Sequence, residues 1–396
     1  MKITLDKVQG LLLILLAFFM PISVFITDLL IFTISIIWVF QGELKNKWQI
    51  ISSSKWMLSV IALFSLYLIG LLWGNYHSNA SWTLEKTALL LFLPILYSSN
   101  FSQKTIRNSV IAFLSAMTLS SILAILINHK TIPRLAKMDK IFSNSYSMSS
   151  FMQYNYHNLF LAFALLLCLI IIFRIVSSNY KVFVVSCALL MITSLYTEPG
   201  RAGHLLFICI TFFFTFYLFA KNKLALFGSI LSICIMLFIS YHYSADFNRR
   251  VQATYTNVLE FDVSKENSIS TRYNLAKYSI QKIKEKPLLG HGTGSFVEEF
   301  SSMGDQAIAS LQSQHKTPHN NFLFAFFELG IVGLILLLLI FYYQITEYSS
   351  KSFSKVRILF PVLFLLLMWS DSFFQNHNSA ILYVFLSLVF STYSSK

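Results

Sequence analysis

The chain has 396 residues, of which 56% are hydrophobic, 16% aromatic and only 12% charged. Soluble domains carry roughly 25% charged residues, so the composition excludes a soluble globular protein and points to an integral membrane protein of many helices. The formal net charge of +13 raises a nucleic-acid reading, which the placement of the basic residues removes.

The N-terminal stretch "MKITLDKVQGLLLILLAFFMPISVF" has the basic start of a signal peptide but no small-x-small cleavage site. It is expected to be a retained first helix. A spanning helix needs about 20 mainly apolar residues. About twelve stretches qualify, at 8–23, 26–42, 55–73, 85–98, 107–127, 155–174, 181–197, 203–220, 223–241, 320–344, 355–370 and 377–394. The expected fold is therefore an all-α polytopic membrane protein. Residues 1–241 would hold the first nine spans, 242–319 one long loop with amphipathic helices, and 320–396 the last three spans. All would belong to one integrated membrane domain. Cys168, Cys187, Cys209 and Cys234 each lie inside an apolar run and read as small buried hydrophobes rather than disulfides or metal ligands.

Lysine and arginine set the orientation. With the N-terminus inside, the inner segments hold half of the 30 basic residues, against only Asp6, Glu43 and Glu347. The basic balance thus reports topology and needs no nucleic acid to explain it. The outer short loops are almost free of basic residues, apart from Lys86, Arg201 and "NHKTIPRLAKMDK" (128–140). That stretch is either a loop long enough to escape the rule or part of an anion site. The outer segment 242–319 carries nine basic and eight acidic residues, which long loops tolerate. A helix is expected near 270–285, capped by Ser270 or Thr271 and ended by Pro287.

Three polar clusters fall on the outer side. In "TEPGRAGHLLF" (197–207), Arg201 starts a helix. A cation there opposes the macrodipole, whereas a bound phosphate would be held by both the guanidinium and the free N–H groups. The bland alternative is a snorkelling interfacial arginine. Arg272 repeats the pattern on the first turn of the loop helix, where taken alone it reads as a solvated surface residue, and "GHGTGSF" (290–296) is either a backbone nest for anions or an ordinary turn. In "KTPHNNFLFAFFELGIVG" (316–333), His319, Asn320 and Asn321 stand at the mouth of a long apolar run. Asn320 alone would suffice as a cap. A histidine at that boundary suits proton transfer, while on spacing alone His319 reads as structural. Glu328, nine residues on, faces the other side of the helix and is expected to be a packing or gating element. Asp371, His377 and His157 read as interfacial edge residues. No metal-ligand spacing and no Gly-x-Ser-x-Gly elbow occurs, so chemistry without metal or other cofactor is expected.

Together these clusters resemble the bacterial O-antigen ligases and the related O-antigen polymerases. "HNNFLFAFFELGIVG" fits the ligase pattern of His, Asn/Ser/Gln, nine residues and Gly-x-x-Gly, through His319, Asn320, Gly330 and Gly333. "RAGHL" fits an arginine-x3-leucine element, and "TRYNLAKYSIQKIKEKPLLGHGTGSF" fits the family's arginine followed by a Pro-Leu-Leu-Gly run. The resemblance covers residues 150–345 well. It implies a fold similar to lipid-linked-sugar glycosyltransferases of the GT-C type. It also implies a metal-independent glycosyltransferase of the bacterial inner membrane, with both termini cytoplasmic and a periplasmic site. The implied donor is an undecaprenyl-pyrophosphate-linked glycan, and the implied acceptor is lipid A core or, for a polymerase, a growing glycan. Arg201 and Arg272 would clamp the pyrophosphate, and His319 would act as base or orient the acceptor hydroxyl. Asn320 would help set the imidazole, with Gly330, Gly333, Glu328 and His377 supporting. A secondary transporter with Glu328 and Asp371 on an ion path is the competing class. The absence of an internal repeat and the outer position of the polar clusters weigh against it.

Overall fold

The computed structural model describes residues 2–74, 79–128, 149–174, 178–262, 267–301 and 315–392. Most of the basic 128–140 stretch lies outside the described residues. The protein is an all-α polytopic membrane protein, with no β-strand among the described residues. Each apolar stretch named above is helical, but not every one is a full span. Seven described helices are long and apolar enough to cross a membrane, or eight if Val24–Phe40 and Leu44–Ser53, bent by 113°, make one broken span. That is fewer than the expected twelve. The stretch at 85–98 is the clearest difference. It divides into Ala80–Ala88, a 3-10 turn at Leu89–Leu91 and the six-residue Phe92–Tyr97. The first of these carries Thr83, Glu85 and Lys86, and Pro94 has no N–H to continue the helical ladder. The last two helices, Ser354–Ser370 and His377–Thr392, have 17 and 16 residues. The final one is buried along nearly its whole length, so its apolar surface serves the protein interior.

The chain folds as two compact units. The first comprises residues 1–12, 31–106 and 257–396, and the second 13–30 and 107–256. In the second unit, Tyr154–Arg174 is the central helix, packed by Ser178–Thr197 and Arg201–Phe219. The 21-residue helix Lys223–Tyr243 packs on the latter, yet it buries little beyond Ile233. Its apolar side chains (Leu224, Phe227, Leu231, Ile235, Phe238) are exposed, as suits a helix solvated by lipid.

In the first unit, the 29-residue helix Asn321–Ser349 packs on Lys55–Ile69 and Ser354–Ser370. It breaks at Gly330, where φ is 65° and ψ is −163°, a region open essentially to glycine alone. The break frees backbone groups that have no water to turn to. The loop after Pro287 satisfies them. His291 N–H donates to the Phe327 carbonyl at 2.9 Å, Gly292 N–H to the Glu328 carbonyl at 2.8 Å, and Ile331 N–H to the Pro287 carbonyl at 2.9 Å. The same loop closes the end of Lys55–Ile69. Thr293 N–H reaches the Gly70 carbonyl at 3.2 Å, and its hydroxyl reaches the Tyr67 carbonyl at 2.6 Å. Gly290, with φ 70°, allows this approach, since a Cβ there would stand 2.5 Å from the Glu328 carbonyl carbon.

Gly330→Ala would force a Cβ to within 2.2 Å of the Leu288 carbonyl oxygen. The backbone and steric costs together should destabilise the protein by about 3 kcal/mol or more. Thermal unfolding of purified protein should show a large fall in midpoint for Gly330→Ala. Gly228→Ala, with nothing within 4 Å of the new Cβ, should stay close to wild type.

Candidate functional site

His319 follows Pro318 and occupies the left-handed region, with φ 51°. A non-glycine residue there is uncommon, though histidine is enriched among the exceptions, and strain of this kind gathers at functional sites. Its imidazole Nδ1 lies 2.8 Å from Asp371 Oδ1, with the two side chains 28% and 30% exposed. An ionised carboxylate only accepts, so Nδ1 carries the proton toward Asp371, and whenever the ring is neutral Nε2 presents a lone pair. Nε2 faces His315 Nδ1 at 3.1 Å. Asp371, His319 and His315 thus form a chain of hydrogen bonds at the mouth of the long helix.

The two asparagines explain why Asp371 stands there. Asn320 is the N-cap of Asn321–Ser349, its Oδ1 accepting from Phe322 and Leu323 N–H at 2.9 and 3.0 Å. Its Nδ2 donates to the Trp369 carbonyl at 3.3 Å, and its backbone N–H donates to Ser372 Oγ at 3.1 Å. Asn321 Oδ1 accepts the Phe374 N–H at 3.1 Å. The pair therefore ties the start of one helix to the turn that follows another. The imidazole itself is set by Asp371 rather than by Asn320, whose side chain is committed to the cap and to Trp369. Burial pushes the Asp371 carboxyl up, but four favourable interactions outweigh it and hold it below the ordinary carboxylate range: the His319 hydrogen bond and charge, the Ser372 N–H and the Arg272 charge. Burial and the neighbouring His319 lower the pKa of His315, so its ring is neutral near pH 7.

Arg272 lies in the same unit, exposed on the first turn of Ser268–Glu285. The cap of that helix is Asn267, whose Oδ1 accepts from Ile269 and Ser270 N–H at 3.0 Å each, rather than Ser270 or Thr271. The helix is held through a core of Leu275, Ile283, Phe296, Phe300, Phe324 and Phe327, which fixes it on the helix that His319 precedes. Glu328 is 1% exposed and its Oε1 accepts the Gly294 N–H at 3.1 Å. With the N–H groups of residues 291–294 engaged in this way, the glycine run is a helix-capping loop and not an anion nest. Gly333 sits three residues beyond the break, with Ala325 and Leu329 against it. His377 begins the last helix, half-buried, and the hydrogen bonds of His319 go to Asp371 and His315 instead.

Arg201 belongs to the second unit. It is half-buried at the start of Arg201–Phe219, where Gly200 offers no side-chain cap. Its Nη1 donates to Thr254 Oγ1 at 3.3 Å. One turn back on the Thr254 helix, Arg250 donates to Tyr154 Oη at 3.2 Å. His157, read from sequence as an edge residue, is wholly buried against Glu198.

Residues 186–338 match the family model described as O-antigen ligase. This stretch belongs to the O-antigen ligase family. Among curated proteins, none matches the chain. The ligase-family stretch contains Arg201, Arg272, His315 and His319 and ends before Asp371, so the aspartate enters the site only through the fold. Members of this family are glycosyltransferase-like ligases and polymerases acting on lipid-linked glycans in a membrane.

Asp371→Asn removes the charge that orients His319 while keeping the shape of the side chain. With His319 as a general base, activity of the purified protein should fall roughly 10²- to 10⁴-fold at unchanged abundance. His315→Ala should cost less, because it leaves the Asp371–His319 pair intact.

Proposed function

We propose that the protein is an O-antigen ligase of lipopolysaccharide biosynthesis. It transfers a glycan from undecaprenyl pyrophosphate to a sugar hydroxyl of lipid A core, on the periplasmic face of the bacterial inner membrane. The observation that carries the reading is the Asp371–His319 pair at the mouth of the Asn321–Ser349 helix, with the histidine inside the stretch that matches the O-antigen ligase family.

In this reading the acceptor hydroxyl replaces His315 as the donor to His319 Nε2. The hydroxyl oxygen attacks the anomeric carbon of the donor sugar as its proton passes to Nε2. The bond from that carbon to the pyrophosphate oxygen breaks, and its electron pair leaves with undecaprenyl pyrophosphate. Asp371 stabilises the imidazolium that forms. Arg272 offsets the charge growing on the diphosphate, and the family resemblance gives Arg201 the same role; guanidinium charge can serve here without a divalent cation. Chelators should therefore leave the rate unchanged. Neither cofactor nor nucleic acid is required, and the partners are the glycan-lipid donor, the acceptor and membrane lipid.

Deletion of the gene and complementation with His319→Ala, Arg201→Ala or Arg272→Ala tests the reading on lipopolysaccharide gels. A ligase defect leaves bare core with lipid-linked polymer accumulating, whereas core bearing a single repeat would mark a polymerase. Wild-type ladders from all three variants at normal protein levels would remove the site. In a cysteine-free background, cysteines at 201 and 319 should both react with an impermeant reagent added from outside, and labelling on opposite faces would rule out a shared site.

A further inference from the structure

The second unit holds a buried polar cluster that the chemistry above does not use. The helix Tyr154–Arg174 begins with His157 and Asn158, both 0% exposed. His157 Nδ1 lies 3.0 Å from Glu198 Oε2, and Glu198 is 2% exposed. The Ser149 hydroxyl donates to the other carboxylate oxygen of Glu198. Ser120 Oγ meets His157 Nε2 at 2.9 Å and is itself bonded to Ser150. Asn158 takes hold of the same turn from its other side. Its Nδ2 donates to the Leu195 carbonyl at 3.3 Å and to the Gly200 carbonyl at 3.2 Å. The approach is close: a Cβ at Gly203 would stand 2.3 Å from the Asn158 carbonyl oxygen. His204 Nε2–H donates to the Leu195 carbonyl as well, at 2.7 Å.

The segment from Leu195 to His204 is thus tied to the start of Tyr154–Arg174 by His157 and Asn158 and closed on itself by His204, and Arg201 lies within it. A carboxylate buried among apolar helices is costly and persists where it has a task and a partner. An apolar contact could close the turn, but only directional hydrogen bonds fix where its residues point. We propose that the His157–Glu198 pair is a positioning element for Arg201, holding the turn so that the guanidinium meets the diphosphate of the lipid-linked donor. The proposal rests on the role given to Arg201 under the proposed function.

The test uses the full chain in lipid nanodiscs, with undecaprenyl pyrophosphate as the probe. Glu198→Gln and His157→Gln should each weaken its binding roughly 10- to 100-fold, the cost of a displaced contact group. The donor KM should rise by more than kcat falls, with the thermal midpoint near that of wild type. In an Arg201→Ala background neither substitution should weaken binding further, because both act through Arg201. Ser120→Ala, which removes one hydrogen bond from His157 and leaves the pair in place, should give a smaller loss with the same dependence on Arg201. If the Glu198 and His157 variants fail to accumulate, Ser120→Ala decides alone, and wild-type binding overturns the proposal. Wild-type binding by Glu198→Gln and His157→Gln, or losses that add to that of Arg201→Ala, overturn it too. Wild-type binding by Arg201→Ala instead removes the diphosphate role of Arg201, and the positioning claim falls with it.

Discussion

Inside a bilayer a freed backbone amide or carbonyl has no water to bond, so any interruption of a spanning helix must be satisfied by protein. The first unit depends on how this is met at Gly330. The loop between Pro287 and Ser295 gives its N–H groups to the carbonyls of Phe327, Glu328 and Gly70 and takes the Ile331 N–H in return. It thereby joins two spans and the helix Ser268–Glu285 into one body. Arg272 stands at one end of that helix, and His319 precedes the helix that breaks. Their relative placement is inherited from a capped break rather than from any direct bond between them.

The histidine is held by a second arrangement, at the helix mouth. His319 takes a positive φ that its neighbours must over-determine, and Asn320 and Asn321 do so by bonding to the segment from Trp369 to Phe374. That segment brings Asp371 to the imidazole. Asp371 is held below the ordinary carboxylate range because the His319 hydrogen bond and charge, the Ser372 N–H and the Arg272 charge outweigh the penalty of its burial. The polar residues at the edge of the apolar run are therefore both cap and orienting frame, which is why so many are gathered in one short stretch.

Much of this was legible in the sequence, for reasons that differ by element. Apolar runs of spanning length gave the helical character and approximate bounds of most segments, because hydropathy is set locally. The stretch at 85–98 misled, since its mean hydropathy hides the polar start at Glu85, Lys86 and Thr87 and the proline at 94. The interruption at Gly330 could be associated with a motif but not foreseen as a break, because it exists only where Leu288 and Gly290 press against it. His319, Arg201 and Arg272 stood out from polarity at helix ends and from resemblance. Asp371 was noticed but could not be paired, since 52 residues separate it from His319. His315 and the Glu198–His157 contact passed unread for the same reason: neither has a local pattern, and both depend on packing.

The sparsely covered helix Lys223–Tyr243 has a consequence for the membrane itself. At 21 residues it is about 31 Å long, close to the ~30 Å hydrocarbon thickness of a typical bilayer. With acyl chains as its main neighbours, its tilt answers to bilayer thickness more than to protein packing. Its C-terminal end runs through Ser244 into the helix Ala245–Leu259, whose Thr254 accepts a hydrogen bond from the Arg201 guanidinium. A change in that tilt would be felt first at the Ser244 turn, where the lipid-facing helix meets the helix that holds the Arg201 contact.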